Sequence, residues 1–124
     1  MAVKRARPED EIQRAVIAHF AVRGVRDAFV FAVPNGGVRS PIEAAIMRGL
    51  GTRAGTPDLF MISRGEVFAL ELKSESGRAT AVQLQAIKDI RRAGGHAEIC
   101  CGIDRTVAVL EGWGLLCGQA SISR

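Results

Sequence analysis

Asp58-Leu59-Phe60-Met61-Ile62-Ser63-Arg64-Gly65-Glu66-Val67-Phe68-Ala69-Leu70-Glu71-Leu72-Lys73 is the stretch on which the fold turns. Arg64-Gly65 separates two mostly apolar runs and reads as the two-residue turn of a β-hairpin. With that turn, Ser63 opposes Glu66, Leu59 opposes Leu70, and Asp58 opposes Glu71. Directly opposed residues hold their Cβ atoms roughly 4.5 to 5.5 Å apart. Lys73 lies two residues beyond Glu71 and points to the same face. The hairpin therefore gathers Asp58, Glu71 and Lys73 at its open end. Leu59 to Ile62 and Val67 to Leu70 are apolar on both alternating sets, which predicts a strand pair buried on both faces.

Outward from the hairpin, apolar spacing supplies the other elements. Pro8 suits a first helical position, and Glu9, Asp10 and Glu11 suit its positive end. Ile12, Ala15, Val16, His19 and Phe20 follow a 3.6-residue period, so this helix runs to about Arg23 and stops at Gly24. Ala28 to Val33 is a continuous apolar run, predicted to be a buried strand. Ser40-Pro41-Ile42-Glu43 is a capping box that opens a short helix to about Leu50. Ala79 to Ala93 is predicted helical with Leu84, Ile87 and Ile90 inward, Ala97 to Cys101 a strand, and Asp104 to Leu116 a helix. The order α, β, α, β, β, α, β, α predicts an α/β fold: one mixed sheet with helices on both faces.

The chain of 124 residues suits one domain spanning 1–124, with 1–7 as a loose basic arm. No apolar run approaches the ~18 residues of a membrane span, and no apolar core follows Lys4, Arg5 and Arg7 as a secretory signal would require. The three cysteines include no C-x-x-C, which argues against a disulfide scaffold or structural zinc and for a reducing, cytoplasmic setting. Lys and Arg number 17 against 13 acids. That balance is compatible with a polyanionic partner without requiring one.

Like charges opposed across a strand pair destabilise it unless a cation sits between them. Lys73 supplies one positive charge, and a divalent metal would supply more. Mg²⁺ typically takes one or two carboxylates and completes its shell with water and phosphate oxygens. Such a site suits phosphodiester hydrolysis. The competing reading of the same three residues is a structural ion cluster at a strand end.

Four blocks in order sharpen this: Pro34-Asn35-Gly36-Gly37-Val38-Arg39, Gly55-Thr56-Pro57-Asp58-Leu59, Glu71-Leu72-Lys73, and Gly77 with Thr80-x-x-Gln83. Together they resemble the VRR-NUC nuclease domain, of the PD-(D/E)XK nuclease superfamily, over roughly residues 9 to 102. The resemblance implies a restriction-endonuclease-like core and a Mg²⁺- or Mn²⁺-dependent DNA endonuclease. It implies Asp58, Glu71 and the Leu72 main-chain carbonyl as metal ligands, Lys73 as the catalytic lysine, and Glu11 and Gln83 as the helical acidic residue and glutamine. Stand-alone members of the family imply a homodimer acting on branched DNA such as a four-way junction. The alternatives are a catalytically silent nucleic-acid-binding module of the same fold and a sequence-specific restriction-type enzyme.

Several residues carry two readings. Gln83 is in register with Ile87 and Ile90 and points inward, yet it also suits helix capping. Asn35, Gly36, Gly37 and Arg39 either approach a phosphate or form an ordinary strand-to-helix turn. Arg53 and Arg78 either line a DNA path or are solvated surface charges. His19 is expected as a satisfied core histidine, His96 as a loop residue without a second ligand, and Cys100 and Cys101 as core residues. The apolar C-terminal segment with Val107, Val109, Leu110, Trp113, Leu115 and Leu116, which has more apolar residues than its own weak helix needs, and the short helix with Ile42, Ile46 and Met47, are candidate dimer surfaces.

Overall fold

The computed structural model describes residues 8–34 and 40–118. The expected basic arm at 1–7 and the residues Asn35, Gly36, Gly37 and Arg39 lie outside that set. The elements are α1 (Pro8–Arg23), β1 (Ala28–Ala32), α2 (Pro41–Gly49), β2 (Leu59–Ser63), β3 (Glu66–Lys73), α3 (Ala81–Arg92), β4 (His96–Cys101) and α4 (Ile103–Gly112). The predicted order holds. The β2–β3 register also holds, with Ser63 opposite Glu66 and Leu59 opposite Leu70. Its turn places Arg64 at φ 52° and Gly65 at φ 80°. Two successive positive φ angles are what a tight hairpin of this twist requires, and glycine adopts one of them at no steric cost.

The sheet order is β1-β2-β3-β4. β1, β2 and β3 are antiparallel neighbours, and β4 joins β3 in parallel after the α3 crossover. Leu59, Met61, Phe68, Leu70, Leu72 and Cys100 point to one face and pack with Val16 of α1 and Leu110 of α4. Ala69 and Ala97 point to the other face, against Ile87 of α3, with Phe60, Ile90 and Ile99 around them. Glu71 lies two residues from Ala69 and so shares the α3 face.

The C-terminal segment completes the first core. Leu115 and Leu116 are buried there, and Trp113 packs on Phe68 with ring centroids 5.2 Å apart. α4 ends at Gly112, short of the predicted Leu116. The segment beyond it runs back along α1: Val25 N–H donates to the Leu115 carbonyl (3.0 Å) and Cys117 N–H to the Arg23 carbonyl (2.8 Å). Arg23 is buried and spends its guanidinium on Glu111 Oε2 (2.5 Å), the Cys117 carbonyl and His19 Nδ1 (3.2 Å). His19 is thus partnered, as expected, though only half-buried. The C-terminal segment is internal, which removes it as a dimer surface.

Five further expectations are corrected. β1 is an edge strand rather than a buried one: Phe29 is 64% exposed, and Phe31 stacks on Phe60 at 5.6 Å while remaining partly open. α3 covers the β3–β4 side of that face and leaves the β1 side uncovered among the described residues. The turn end of the hairpin is open as well, at Ile62 and Val67. Leu84 is exposed because the inward stripe of α3 is Gln83, Ala86, Ile87 and Ile90. Cys100 is buried, but alternation turns Cys101 outward. His96 begins β4 and pairs with Glu66 at 2.7 Å while stacking on Phe68 at 4.7 Å.

Candidate active site

Asp58 is placed by the loop before β2. Its carbonyl accepts from Val33 N–H at 2.8 Å, tying it to the end of β1. Two contacts fasten the loop to α3. Gly55 (φ +79°) lies so close to the Val82 backbone that a Cβ there would stand 2.6 Å from the Val82 carbonyl oxygen. Arg53 forms an ion pair with Asp89 of α3. Asp89 also accepts from Gln85 (3.0 Å) and Arg92 (2.8 Å). The Gln85 hydrogen bond first, and then Arg53 and Arg92, hold its carboxyl below the usual range.

Across the hairpin, the Leu72 backbone N–H donates to Asp58 Oδ2 at 2.9 Å. Glu71, one residue earlier, is buried. Its Oε2 accepts from Gln83 Nε2 at 3.1 Å and lies 3.8 Å from Lys73 Nζ. Burial pushes the Glu71 carboxyl up to about 8, the negative charge of Asp58 pushes the same way, and Lys73 partly offsets both. Asp58, Glu71 and Lys73 therefore meet as the hairpin register implies, and α3 adds Gln83.

Two cavities join at Asp58, Glu71, Gln83, Val33 and Pro34. The larger, about 650 Å³, is walled by Met47 of α2 and the loop containing Arg53 and Thr56. The smaller, about 400 Å³, is walled by Glu9, Asp10 and Gln13 of α1 with Leu72 and Lys73.

These donors fit a hard divalent cation. No group of three or more His, Cys, Asp or Glu side chains forms a metal cluster among the described residues. A cation here would rest on two carboxylates, with main-chain oxygen and water completing the shell, which is the habit of Mg²⁺ rather than of zinc. One oxygen of each carboxylate is already held by a protein donor, Asp58 Oδ2 by Leu72 and Glu71 Oε2 by Gln83. A cation would bind through the remaining lone pairs of these two carboxylates.

A solved structure described as a VRR_NUC domain protein superposes on this chain with a TM-score of 0.72 at 26% identity, covering 89% of this chain and 90% of that one. The chain has a VRR-NUC domain fold. A second structure, described as a VRR_NUC domain, matches with a TM-score of 0.60 at 21% identity, over 87% of this chain and 99% of the other. No family model and no curated protein matches the sequence.

Within this VRR-NUC fold, α1 presents different acids from the one expected. Glu11 lies in a separate depression with Ile12, Ala15 and Ser76. Glu9 lines the smaller cavity instead, and its Oε2 accepts from Ser74 N–H at 3.2 Å. At about 100° per residue, two positions along a helix point nearly opposite ways. A signal for this was present: Glu9, Gln13, Val16 and Phe20 fall on one stripe at i, i+4, i+7 and i+11. Both readings of Gln83 are realised at once, since Thr80 N–H donates to its Oε1 at 2.9 Å while Nε2 reaches Glu71. Arg53 lines the larger cavity, and Arg78 is exposed and lines neither.

Proposed function

We propose that this VRR-NUC domain is a nuclease: a Mg²⁺- or Mn²⁺-dependent DNA endonuclease acting on branched DNA such as a four-way junction. The observation that carries the reading is the cluster itself. Two adjoining carboxylates, one buried with its carboxyl pushed up to about 8, share a cleft with a lysine. A structural ion pair would gain nothing from the second carboxylate, whereas a cation would relieve the repulsion.

A divalent ion held by Asp58, Glu71 and the Leu72 carbonyl would act as a Lewis acid on a phosphate oxygen and acidify a water. The protein's own groups do the rest. Leu72 N–H fixes the Asp58 carboxylate, and Gln83 fixes that of Glu71. The Lys73 ammonium stands where it neutralises charge that develops on the phosphate as water adds to phosphorus and one P–O ester bond breaks. The proton lost by the water passes to solvent, and the leaving oxygen takes one from solvent.

Arg53, Arg78, Asn35, Gly36, Gly37 and Arg39 are proposed to meet the DNA backbone, with Arg53 leaving Asp89 to do so. The proposed assembly is a homodimer, because one chain carries one such cluster and symmetric cutting of two strands needs two. With the C-terminal segment internal, its contact surface is α2, where Ile42 and Ile46 are exposed. No described helix is long and apolar enough to cross a membrane. The free thiols of Cys100, Cys101 and Cys117 suit a reducing cytoplasm.

The test is a panel of labelled DNAs (duplex, single strand, flap, four-way junction) incubated with and without Mg²⁺ or Mn²⁺. Metal-dependent cutting of the junction supports the proposal. Binding without cutting under every metal favours a silent binding module. Cutting confined to one sequence in plain duplex favours a restriction-type enzyme. Light scattering should report about 26 kDa, twice the chain's 13.2 kDa.

A further inference from the structure

We infer that Thr80, which lines neither cavity, is a positioning residue: its N-cap geometry selects which way the Gln83 carboxamide faces, and through it which oxygen of Glu71 is left for a cation. The inference rests on the metal-dependent reading of the site.

A glutamine side chain has one end that accepts and one that donates. At the start of α3, Thr80 N–H donates to Gln83 Oε1 at 2.9 Å, and Gln83 N–H donates to Thr80 Oγ1 at 3.2 Å. With the Gln83 oxygen engaged by that backbone N–H, the nitrogen faces Glu71 Oε2 at 3.1 Å. The flipped amide would set its NH₂ against the Thr80 N–H, donor against donor, and would set its oxygen against the Glu71 carboxylate once that group is ionised to take a cation. Thr80 N–H, the Gln83 amide and Glu71 Oε2 thus form one directed chain of hydrogen bonds from an exposed helix cap to a buried carboxylate. Lys73 Nζ stands 3.8 Å from the same Oε2, so the ammonium and the amide both fall on one oxygen, and we assign the other, Oε1, to the cation.

The helix alone does not require glutamine at position 83. Glutamate serves equally well at this position of a capping box, as it does in α2, where Ser40 N–H donates to Glu43 Oε1 at 3.2 Å and Glu43 N–H to Ser40 Oγ at 3.1 Å. A carboxylate at 83 would accept from Thr80 but would have no proton to pass on to Glu71. The residue that both closes the cap and donates onward is an amide.

The experiment is a double-mutant cycle on the full chain, read first by Mn²⁺ binding in titration calorimetry. Thr80→Ala should weaken Mn²⁺ binding about fivefold, Thr80→Ser should restore it, and Thr80→Ala placed on Gln83→Ala should add less than about a twofold loss. Thr80→Pro provides a second probe. The φ of Thr80 is −78°, which proline accommodates, so this change removes the N–H donor with little backbone cost. It should match Thr80→Ala or exceed it. Equal losses from Thr80→Ala in both backgrounds would mean a general loosening of α3 and overturn the inference, as would full binding by Thr80→Pro. If the parent chain binds no Mn²⁺, the metal reading falls. The orientation itself is then judged by NMR: the Gln83 side-chain amide should be protected from exchange in the metal-free parent and unprotected in Thr80→Pro. Protection retained in Thr80→Pro would overturn it independently of metal.

Discussion

α2 and α3 begin with the same device and come to different ends. Each opens with a reciprocal capping box, Ser40 with Glu43 and Thr80 with Gln83. α2 buries no residue, and Ile42 is 73% exposed. α3 buries Ala86 and Ile87, clasps the loop before Asp58 through Val82 and Asp89, and delivers Gln83 to Glu71. Capping chemistry decides where a helix starts. What the helix then does depends on whether a sheet face receives it. Both carboxylates of the candidate site are referenced to α3, Asp58 through the preceding loop and Glu71 through Gln83.

Substitutions can break this contrast. The largest effect should come from Asp58→Asn, which is expected to abolish cleavage while DNA binding by gel shift persists. Removing the half-buried Asp58 charge beside the buried Glu71 should leave the melting temperature unchanged or slightly raised. Cutting at near the parental rate would sink the metal assignment. Lys73→Ala should lower the single-turnover rate by about two orders of magnitude, roughly 3 kcal/mol of barrier, with metal binding still detectable. Full activity would return Lys73 to a structural ion pair.

The two caps can be compared directly. Gln83→Ala and Glu43→Ala each remove one side of a capping box and should cost similar stability, about 0.5 to 1 kcal/mol in urea titrations. Only the first should also slow cleavage, by about tenfold, because the Gln83 amide donates to Glu71, which the carboxylate of Glu43 has no proton to do. Equal rates in the two variants would erase the distinction between the helices.

The remaining effect, on stability rather than on cleavage, is pH dependence without metal. The folded chain holds the Glu71 proton up to about 8, above the 4.5 of an exposed glutamate. Between those values the unfolded chain has lost a proton that the folded chain keeps, so stability falls as pH rises through this window and is flat for this group on either side. Calorimetric scans from pH 5 to 8 should show a falling melting temperature, and Glu71→Gln should remove that fall. An unchanged slope in that variant would mean another group is responsible.

What could be read from the residues alone was local. The Arg64-Gly65 turn sets the register, and from it follow Asp58, Glu71 and Lys73 as neighbours. The Ser40–Glu43 capping box was legible because its partners are three residues apart, and a capping role was one of the two readings of Gln83. What escaped depended on distant coverage or on angle. An apolar run such as Ala28 to Val33 looks the same at a sheet edge as in its middle, and only the position of α3 leaves Phe29 open. Glu9 and Glu11 differ by two residues in a row of acids, and the rotation of α1 on the sheet decides which one meets the cleft. Leu115 and Leu116 looked surplus to a weak helix because the core they complete is built from α1, β2 and β3.

The return of the C-terminal segment along α1 sets where this domain can be cut from or joined to other sequence. Helix α4 ends at Gly112, but the folding unit does not. A stop before Leu115 would take two buried leucines from the core and leave the buried Arg23 guanidinium without the carbonyl of Cys117. Lysine at 23 would not substitute, since a single ammonium cannot reach a carboxylate, a carbonyl and an imidazole in the fork that arginine spans. A boundary or a fused reporter therefore belongs after Cys117, and the last turn of α4 is a misleading guide to the extent of the folding unit.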